Sequence, residues 1–203
     1  MENLVENISK SVAIELLFEE MPTRPTANAI FREARKIFGD INIINRDEND
    51  IEFSVDKFVA YNEDNTTSPV VLAMGNITDF DDKVAVSEFE RTQIWNVVNS
   101  EELLSKYKYA VKIWDVNAQR QIPKERAIML VDWLNVALKL YPKCQAIWIK
   151  SAGKLQLAQS IKNLKETGIV KYLYSMVNIR FFNVPNTNEF IVDSVGLANI
   201  GLK

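Results

Sequence analysis

The fold class follows from one stretch, PKERAIMLVDWLNVALKLY at residues 123–141. Pro123 suits the first turn of a helix and Pro142 comes just past its end, so this stretch predicts a helix. Its apolar side chains form two stripes, one through Leu134 and the other through Trp133. We therefore expect the helix to lie between layers of the protein instead of on its surface.

Strand patterns lie on both sides of this helix. Apolar and β-branched runs predict strands at 12–18, 69–74, 109–116 and 146–149, two more between 41 and 61, and a closing hairpin formed by 177–184 and 190–195. Residues 75–82 and 185–188 have the composition of loops and turns.

Shorter helices are predicted between these strands. Thr26 is a suitable N-cap for a helix that reaches Phe38 and ends at Gly39. Further helices are expected after the capping box of Ser87 and Glu90, from Ser100, and over 155–164.

The elements mix without strict alternation of strand and helix, which favours an α+β fold with a mixed, largely antiparallel sheet and packed helices. We expect residues 1–203 to form one domain. Two halves, about 11–80 and 108–200, share a loose strand–helix–strand–strand order, which is compatible with two ferredoxin-like units.

Composition excludes several classes of protein. The net charge of −3 argues against a nucleic-acid partner, because phosphate binding usually needs a basic excess. Apolar runs are too short to span a membrane, and the single cysteine, Cys144, favours the cytoplasm. Residues 1–10 are polar and lack a signal-peptide pattern, so we expect a frayed end or a short turn there.

The sequence contains no histidine, which removes the usual catalytic triads and histidine metal sites. We therefore predict no catalytic residue, no cofactor and no metal. Asp79, Asp81 and Asp82 are interpreted as a solvated acidic loop, and Asp115 with Asp132 is the remaining carboxylate pair that could carry acid–base chemistry.

One turn has the chemistry to bind an anion. The segment KSAGK at 150–154 follows a predicted strand, as phosphate-binding loops do, but it lacks the full glycine and Ser/Thr pattern of such loops. Lys150, Ser151 and Lys154 are therefore candidate ligand-binding residues, and an ordinary strand-to-helix turn is the alternative interpretation.

Arg180 and Asp193 add two candidate ligand-binding residues. Both lie in strands otherwise built from large apolar side chains, where the hairpin could pair them with each other. The alternative is that both occupy the polar face of an edge hairpin.

Several segments resemble bacterial proteins of the domain of unknown function 4261 family. They are FERTQIW at 89–95, SEELL at 100–104, KERA at 124–127, NIRFFN at 178–183 and IVDSVGL at 191–197, and the resemblance covers about residues 69–202. Members of that family continue past the Gly-Leu segment, so we expect a truncated or shortened member here. The resemblance implies the fold class and a bacterial cytosolic origin, but no activity or cofactor.

Together these features predict a non-catalytic protein-interaction module of accessory or immunity type, whose partner is another protein. The alternative is an enzyme that uses lysine or carboxylate chemistry on a small anionic ligand at 150–154. A homodimer through an open edge strand is also compatible with the sequence.

Overall fold

The computed structural model describes residues 11–47 and 49–202, so the prediction for residues 1–10 lies outside the described residues. The strands in this part of the chain are β1 (Ala13–Phe18), β2 (Ile41–Arg46), β3 (Asp50–Tyr61), β4 (Thr67–Asp79), β5 (Tyr109–Val116), β6 (Ala146–Ile149), β7 (Lys154–Leu157), β8 (Asn178–Asn183) and β9 (Phe190–Val195). The helices are α1 (Ala27–Phe38), α2 (Asp82–Ala85), α3 (Glu88–Thr92), α4 (Ser100–Lys106), α5 (Pro123–Leu140), α6 (Ala158–Asn163) and α7 (Gly168–Met176).

A seven-stranded sheet has the order β2-β3-β4-β5-β1-β6-β7, and each pair of neighbours is antiparallel. The hairpin of β8 and β9 forms a separate two-stranded sheet. The predicted α+β class with a largely antiparallel sheet is thus confirmed. Because β1 lies between β5 and β6, strands from both predicted halves share one sheet, and the internal repeat stays a prediction.

Local signals define α1. The side-chain hydroxyl of Thr26 accepts a hydrogen bond from the backbone N–H of Ala29 at 3.2 Å, as an N-cap does. Gly39 follows the helix with a φ of 77°, a left-handed value that glycine adopts without steric cost. Both ends of this helix match the sequence prediction.

The main core lies between one face of the sheet and a layer of helices, with α5 at its centre. Helix α5 contacts α1, α6 and α7 as well as the sheet, and Trp133 and Leu134, one from each predicted stripe, are both fully buried. Trp133 contacts Phe53 of β3 edge-to-face, with 5.4 Å between ring centroids. The predicted position of this helix between layers is therefore confirmed. In the described part of the chain, no helix is both long enough and apolar enough to cross a membrane.

A second, smaller core covers part of the opposite face of the sheet. The chain between β4 and β5 folds over β1, β5, β6 and β7 there, and its Phe80, Ile94 and Leu104 pack with Leu17 and Trp148 of the sheet. The capping box predicted at Ser87 and Glu90 begins α3 within this segment.

Three details differ from the sequence prediction. Strand β4 continues through the predicted loop to Asp79, because residues 77–79 pair with β5. Residues 154–157 form β7 instead of the start of a helix, since Leu155 lies opposite Trp148 of β6 and both pack in the second core. The sequence patterns did not predict α7.

The deepest charges in the described core are Asp115 of β5 and Arg126 of α5, both fully buried. The Arg126 Nε donates to Asp115 Oδ2 at 2.8 Å, and the backbone N–H of Val12 donates to Asp115 Oδ1 at 2.5 Å. One carboxylate thereby connects α5 with two neighbouring strands. Arg126 and Val12 are thus the groups that act on the Asp115 carboxyl, whereas the charges that act on Asp132, its predicted partner, come from Lys57 and Lys171.

We predict that Asp115→Asn lowers the free energy of unfolding by about 3–5 kcal/mol, because it leaves the Arg126 charge buried without its carboxylate. Urea unfolding of the variant and the wild type measures the difference. Glu102→Gln serves as the control, since it breaks the exposed Lys106–Glu102 pair and should leave stability almost unchanged. Equal stabilities for Asp115→Asn and the control would contradict the structural role of the buried pair.

Candidate functional site

The hairpin of β8 and β9 presents two different faces. Its register places Phe181 opposite Val192 and Arg180 opposite Asp193. Because side chains alternate along a strand, Ile179, Phe181, Asn183, Phe190, Val192 and Ser194 share one face. Asn178, Arg180, Phe182, Ile191, Asp193 and Val195 share the other.

The second of these faces is held against the body of the protein. Phe182 stacks on Phe89 of α3 with ring centroids 6.2 Å apart and an interplanar angle of 9°. The Asn178 amide donates to the carbonyl oxygens of Gly153 and Gln93 at 2.9 and 3.3 Å. These contacts tie the base of β8 to two separate segments of the second core.

Arg180 and Asp193 form a two-pronged ion pair on this same face. The Arg180 Nε donates to Asp193 Oδ1 at 2.8 Å, and its NH2 donates to Asp193 Oδ2. This bonding lowers the pKa of the Asp193 carboxyl and raises the pKa of the Arg180 guanidinium. The Arg180 guanidinium also lies 5.3 Å from the ring centroid of Phe182, a cation–π distance. Of the two interpretations of these residues, the structure shows the mutual pair.

The first face of the hairpin is exposed and apolar. Phe181 and Phe190 expose 45% and 63% of their surface, and their ring centroids lie 6.4 Å apart. Trp95, which is 58% exposed, meets Phe181 edge-to-face at 5.8 Å. We use the name aromatic surface for Trp95, Ile179, Phe181, Phe190 and Val192.

A cavity of about 330 Å³ lies beside the hairpin, between its held face, α3 and the turn after β6. Its lining includes Phe89, Glu90, Lys150, Ser151 and Arg180. Three of the five ligand-binding candidates from the sequence thus meet at one cavity. Asp193, the fourth candidate, is connected to the cavity by its ion pair with Arg180.

Lys154 points away from the cavity. Gly153 adopts a left-handed conformation with a φ of 56°, and the Lys154 Nζ donates to the backbone carbonyl of Val177 at 2.6 Å. Burial lowers the pKa of this ammonium to about 8. The two lysines of the predicted anion site therefore do not converge, and Lys154 joins β7 to the start of β8.

The charges around the cavity balance. Lys150 and Arg180 contribute two positive charges, and Glu90 and Asp193 contribute two negative ones. The Glu90 carboxylate is itself engaged, since its Oε2 accepts from the N–H and the hydroxyl of Ser87 at 2.8 and 2.7 Å. A neutral cavity gives an anionic ligand little Coulombic attraction.

Two of the other acidic candidates have structural partners. Asp81 caps α2, where its side chain accepts from the N–H of Lys83, and Asp82 accepts from Arg91 at 2.8 Å. Burial raises the pKa of Asp132, and the charges that act on it come from Lys57 and Lys171. Within residues 11–47 and 49–202, no group of three or more Cys, Asp or Glu side chains has a metal-binding arrangement.

Sequence reasoning predicted the hairpin but not the exposure of its aromatic residues. The structure divides the four tryptophans of the chain between the core and the surface. Trp133 and Trp148 are fully buried, Trp114 is partly buried and Trp95 is exposed. The available signal was the run of adjacent apolar residues in each strand, Phe181–Phe182 in β8 and Phe190–Val192 in β9, since a strand with one solvated face would alternate.

No protein-family model, curated protein or solved structure matches this chain. The resemblance to the domain of unknown function 4261 family therefore stays a prediction, and function is argued from the site alone.

We predict that the wild type gains stability relative to Lys154→Met by about 1.5 kcal/mol as the pH rises from about 8 to about 9.5. The folded protein releases the Lys154 proton near pH 8, whereas the unfolded chain keeps it up to about pH 10.4, so rising pH favours the folded state. Denaturant unfolding at several pH values measures the difference.

Subtracting the free energy of unfolding of the variant removes the contribution of the other titrating groups. These include the buried Tyr107 and Tyr141, since burial raises the pKa of each to about 12. Parallel stability curves for the two proteins over this range would show that Lys154 stays charged in the folded state.

Proposed function

We propose that this protein is a non-catalytic protein-interaction module, of accessory or immunity type, which binds a protein partner through the aromatic surface. The single observation that carries the proposal is the exposure of Trp95, Phe181 and Phe190 as one connected group. Aromatic side chains are enriched at the centres of protein interfaces, where they contribute much of the binding energy.

The size of the aromatic surface supports this function. Buried aromatic side chains cover about 150–250 Å² each, so five large side chains that are about half exposed leave roughly 500 Å² of apolar surface in water. Soluble monomers rarely leave larger contiguous apolar patches uncovered, and patches of this size are often functional. Single apolar residues scattered over the surface of a folded protein are normal and do not indicate a binding site.

The support beneath the aromatic surface also suits binding. A two-stranded hairpin alone is marginally stable in water. Here the ion pair of Arg180 with Asp193 joins the two strands, and the stacking of Phe182 on Phe89 holds the other face of the hairpin against α3. Rigid side chains lose little conformational freedom on binding, so such preorganisation favours affinity.

The alternative, an enzyme acting on a small anion, has weaker support. The cavity brings Lys150, Ser151 and Arg180 together, but Lys154 is engaged with Val177 and the charges balance. Burial raises the pKa of the Cys144 thiol to about 12, so it stays protonated and is a poor nucleophile near neutral pH.

We further propose a protein partner in the cytoplasm, as opposed to a nucleic acid or a membrane. The aromatic surface contains no basic residue and the chain has a net charge of −3, so it offers phosphate groups no electrostatic attraction.

The test places a photoreactive phenylalanine analogue, p-benzoylphenylalanine, at Phe190 in cells that encode the protein. We expect irradiation to yield a discrete protein adduct, because Phe190 would lie against the partner. Tyr61 of β3, also exposed and aromatic, is the matched control position and should give no such adduct. A second substitution, Trp95→Ala, in the protein that carries the analogue at position 190 should weaken binding of the partner about 30-fold. This is the usual effect of removing a central aromatic residue.

Adducts of equal yield from positions 190 and 61, or none from position 190, would refute the proposed function. The mass of the adduct also identifies the partner class, since a self-adduct has twice the mass of the chain and a different partner gives another mass.

A further inference from the structure

We propose that the aromatic surface is the contact face of a twofold homodimer, so that the partner is a second copy of this chain. This inference rests on the proposed function and names the partner of the same surface. It differs from the edge-strand dimer expected from the sequence, because the two hairpins pack face to face.

Charge distribution favours a second copy. The six side chains on the exposed hairpin face include no ionisable group, and the charges of Arg180 and Asp193 lie on the opposite face and neutralise each other. In a twofold contact residue i meets residue j of the partner and residue j meets residue i, so only a charge near the axis would face its own copy. A charge-free face avoids that repulsion, and it also lacks the charges by which an unlike partner is usually selected.

The distribution of polar residues on the hairpin face matches an interface. Its polar members, Asn183 and Ser194, lie at diagonal corners of the face, opposite Phe190 and Ile179, and Phe181 and Val192 lie between the two ends. Val192 is at the middle of the face, opposite Phe181 and two residues from Phe190. An apolar centre with a polar rim is the usual anatomy of protein interfaces.

The aromatic surface supplies more than half of the area that each partner buries in a standard dimer interface. Standard interfaces bury about 800 Å² on each partner, and the aromatic surface supplies roughly 500 Å² of apolar area before any rim is counted. The rim includes Asn183 and Ser194, which are both exposed. Facing sheets pack about 10 Å apart, a distance at which aromatic side chains from both copies interdigitate.

The test uses two adjacent residues of β9 that point to opposite faces. Val192 is 49% exposed on the proposed interface, and Ile191 is 58% exposed on the other face, so a lysine at either position should be tolerated by the fold. Light scattering after size-exclusion chromatography measures the mass of the full chain. We expect the wild type and Ile191→Lys to show twice the chain mass of 23.3 kDa.

Val192→Lys should be monomeric, because two lysines would meet near the twofold axis and weaken self-association at least about 100-fold. Val192→Glu should be monomeric for the same reason. An equimolar mixture of the two variants should restore a dimer, since opposite charges then meet at the axis. Recovery on mixing excludes damage to the fold as the cause of dissociation.

A wild type that is monomeric at its highest soluble concentration would overturn the dimer. So would equal masses for Val192→Lys and Ile191→Lys, or a mixture of the two charged variants that stays monomeric. If a monomeric wild type nevertheless gives an adduct with a different protein at position 190, the dimer fails and the proposed interaction function stands. If it gives no adduct, both fail.

Discussion

The buried ion pair of Asp115 with Arg126 is the constraint on which the rest of this structure depends. Two charges that are removed from water destabilise the fold unless they are paired. The strand β5, the residue before β1 and the first turn of α5 must therefore meet at this point. Tyr172 of α7 lies close enough for both charges to affect its pKa, which burial raises. The Tyr172 hydroxyl then donates to the carbonyl of Gly196 at 2.7 Å, at the end of the hairpin. The pair therefore orients the helix layer, and the helix layer fixes the base of β9.

Gly196 lies at the contact between α7 and the end of β9, where the backbone segments approach each other closely. Its φ is 113°, and a Cβ at this position would lie 2.5 Å from the carbonyl oxygen of Met176. Because only glycine fits such a close approach, the chain can leave β9 directly beneath α7. The hairpin projects from this fixed base, and its aromatic residues stay exposed because the protein's own helices are already packed on the main sheet.

The exposed aromatic residues conflict with the rule that large apolar side chains lie inside, and such conflicts are expected where a protein functions. The cavity on the other side of the hairpin supports the same interpretation. Arg180 of its lining pairs with Asp193 across the hairpin, and Lys154, which lies outside the cavity, joins β7 to the start of β8, so both groups stabilise the hairpin. The stable body of the protein thus supports a hairpin that exposes one apolar face.

The sequence by itself determined the elements whose signals are local. The N-cap at Thr26, the capping box at Ser87, the prolines around α5 and the apolar run of β5 depend on neighbouring residues, and the structure agrees at each. Only the tertiary structure decided the order of the strands, the change of 154–157 from helix to β7, the direction of Lys154 and the exposure of Trp95. Each of these depends on which distant segments pack together. Leu155 becomes part of a strand because Trp148 lies opposite it, and Trp95 is exposed whereas Trp133 is buried because only Trp133 lies between layers. Burial is a property of the packed chain, so the same apolar pattern can form a core or a contact surface.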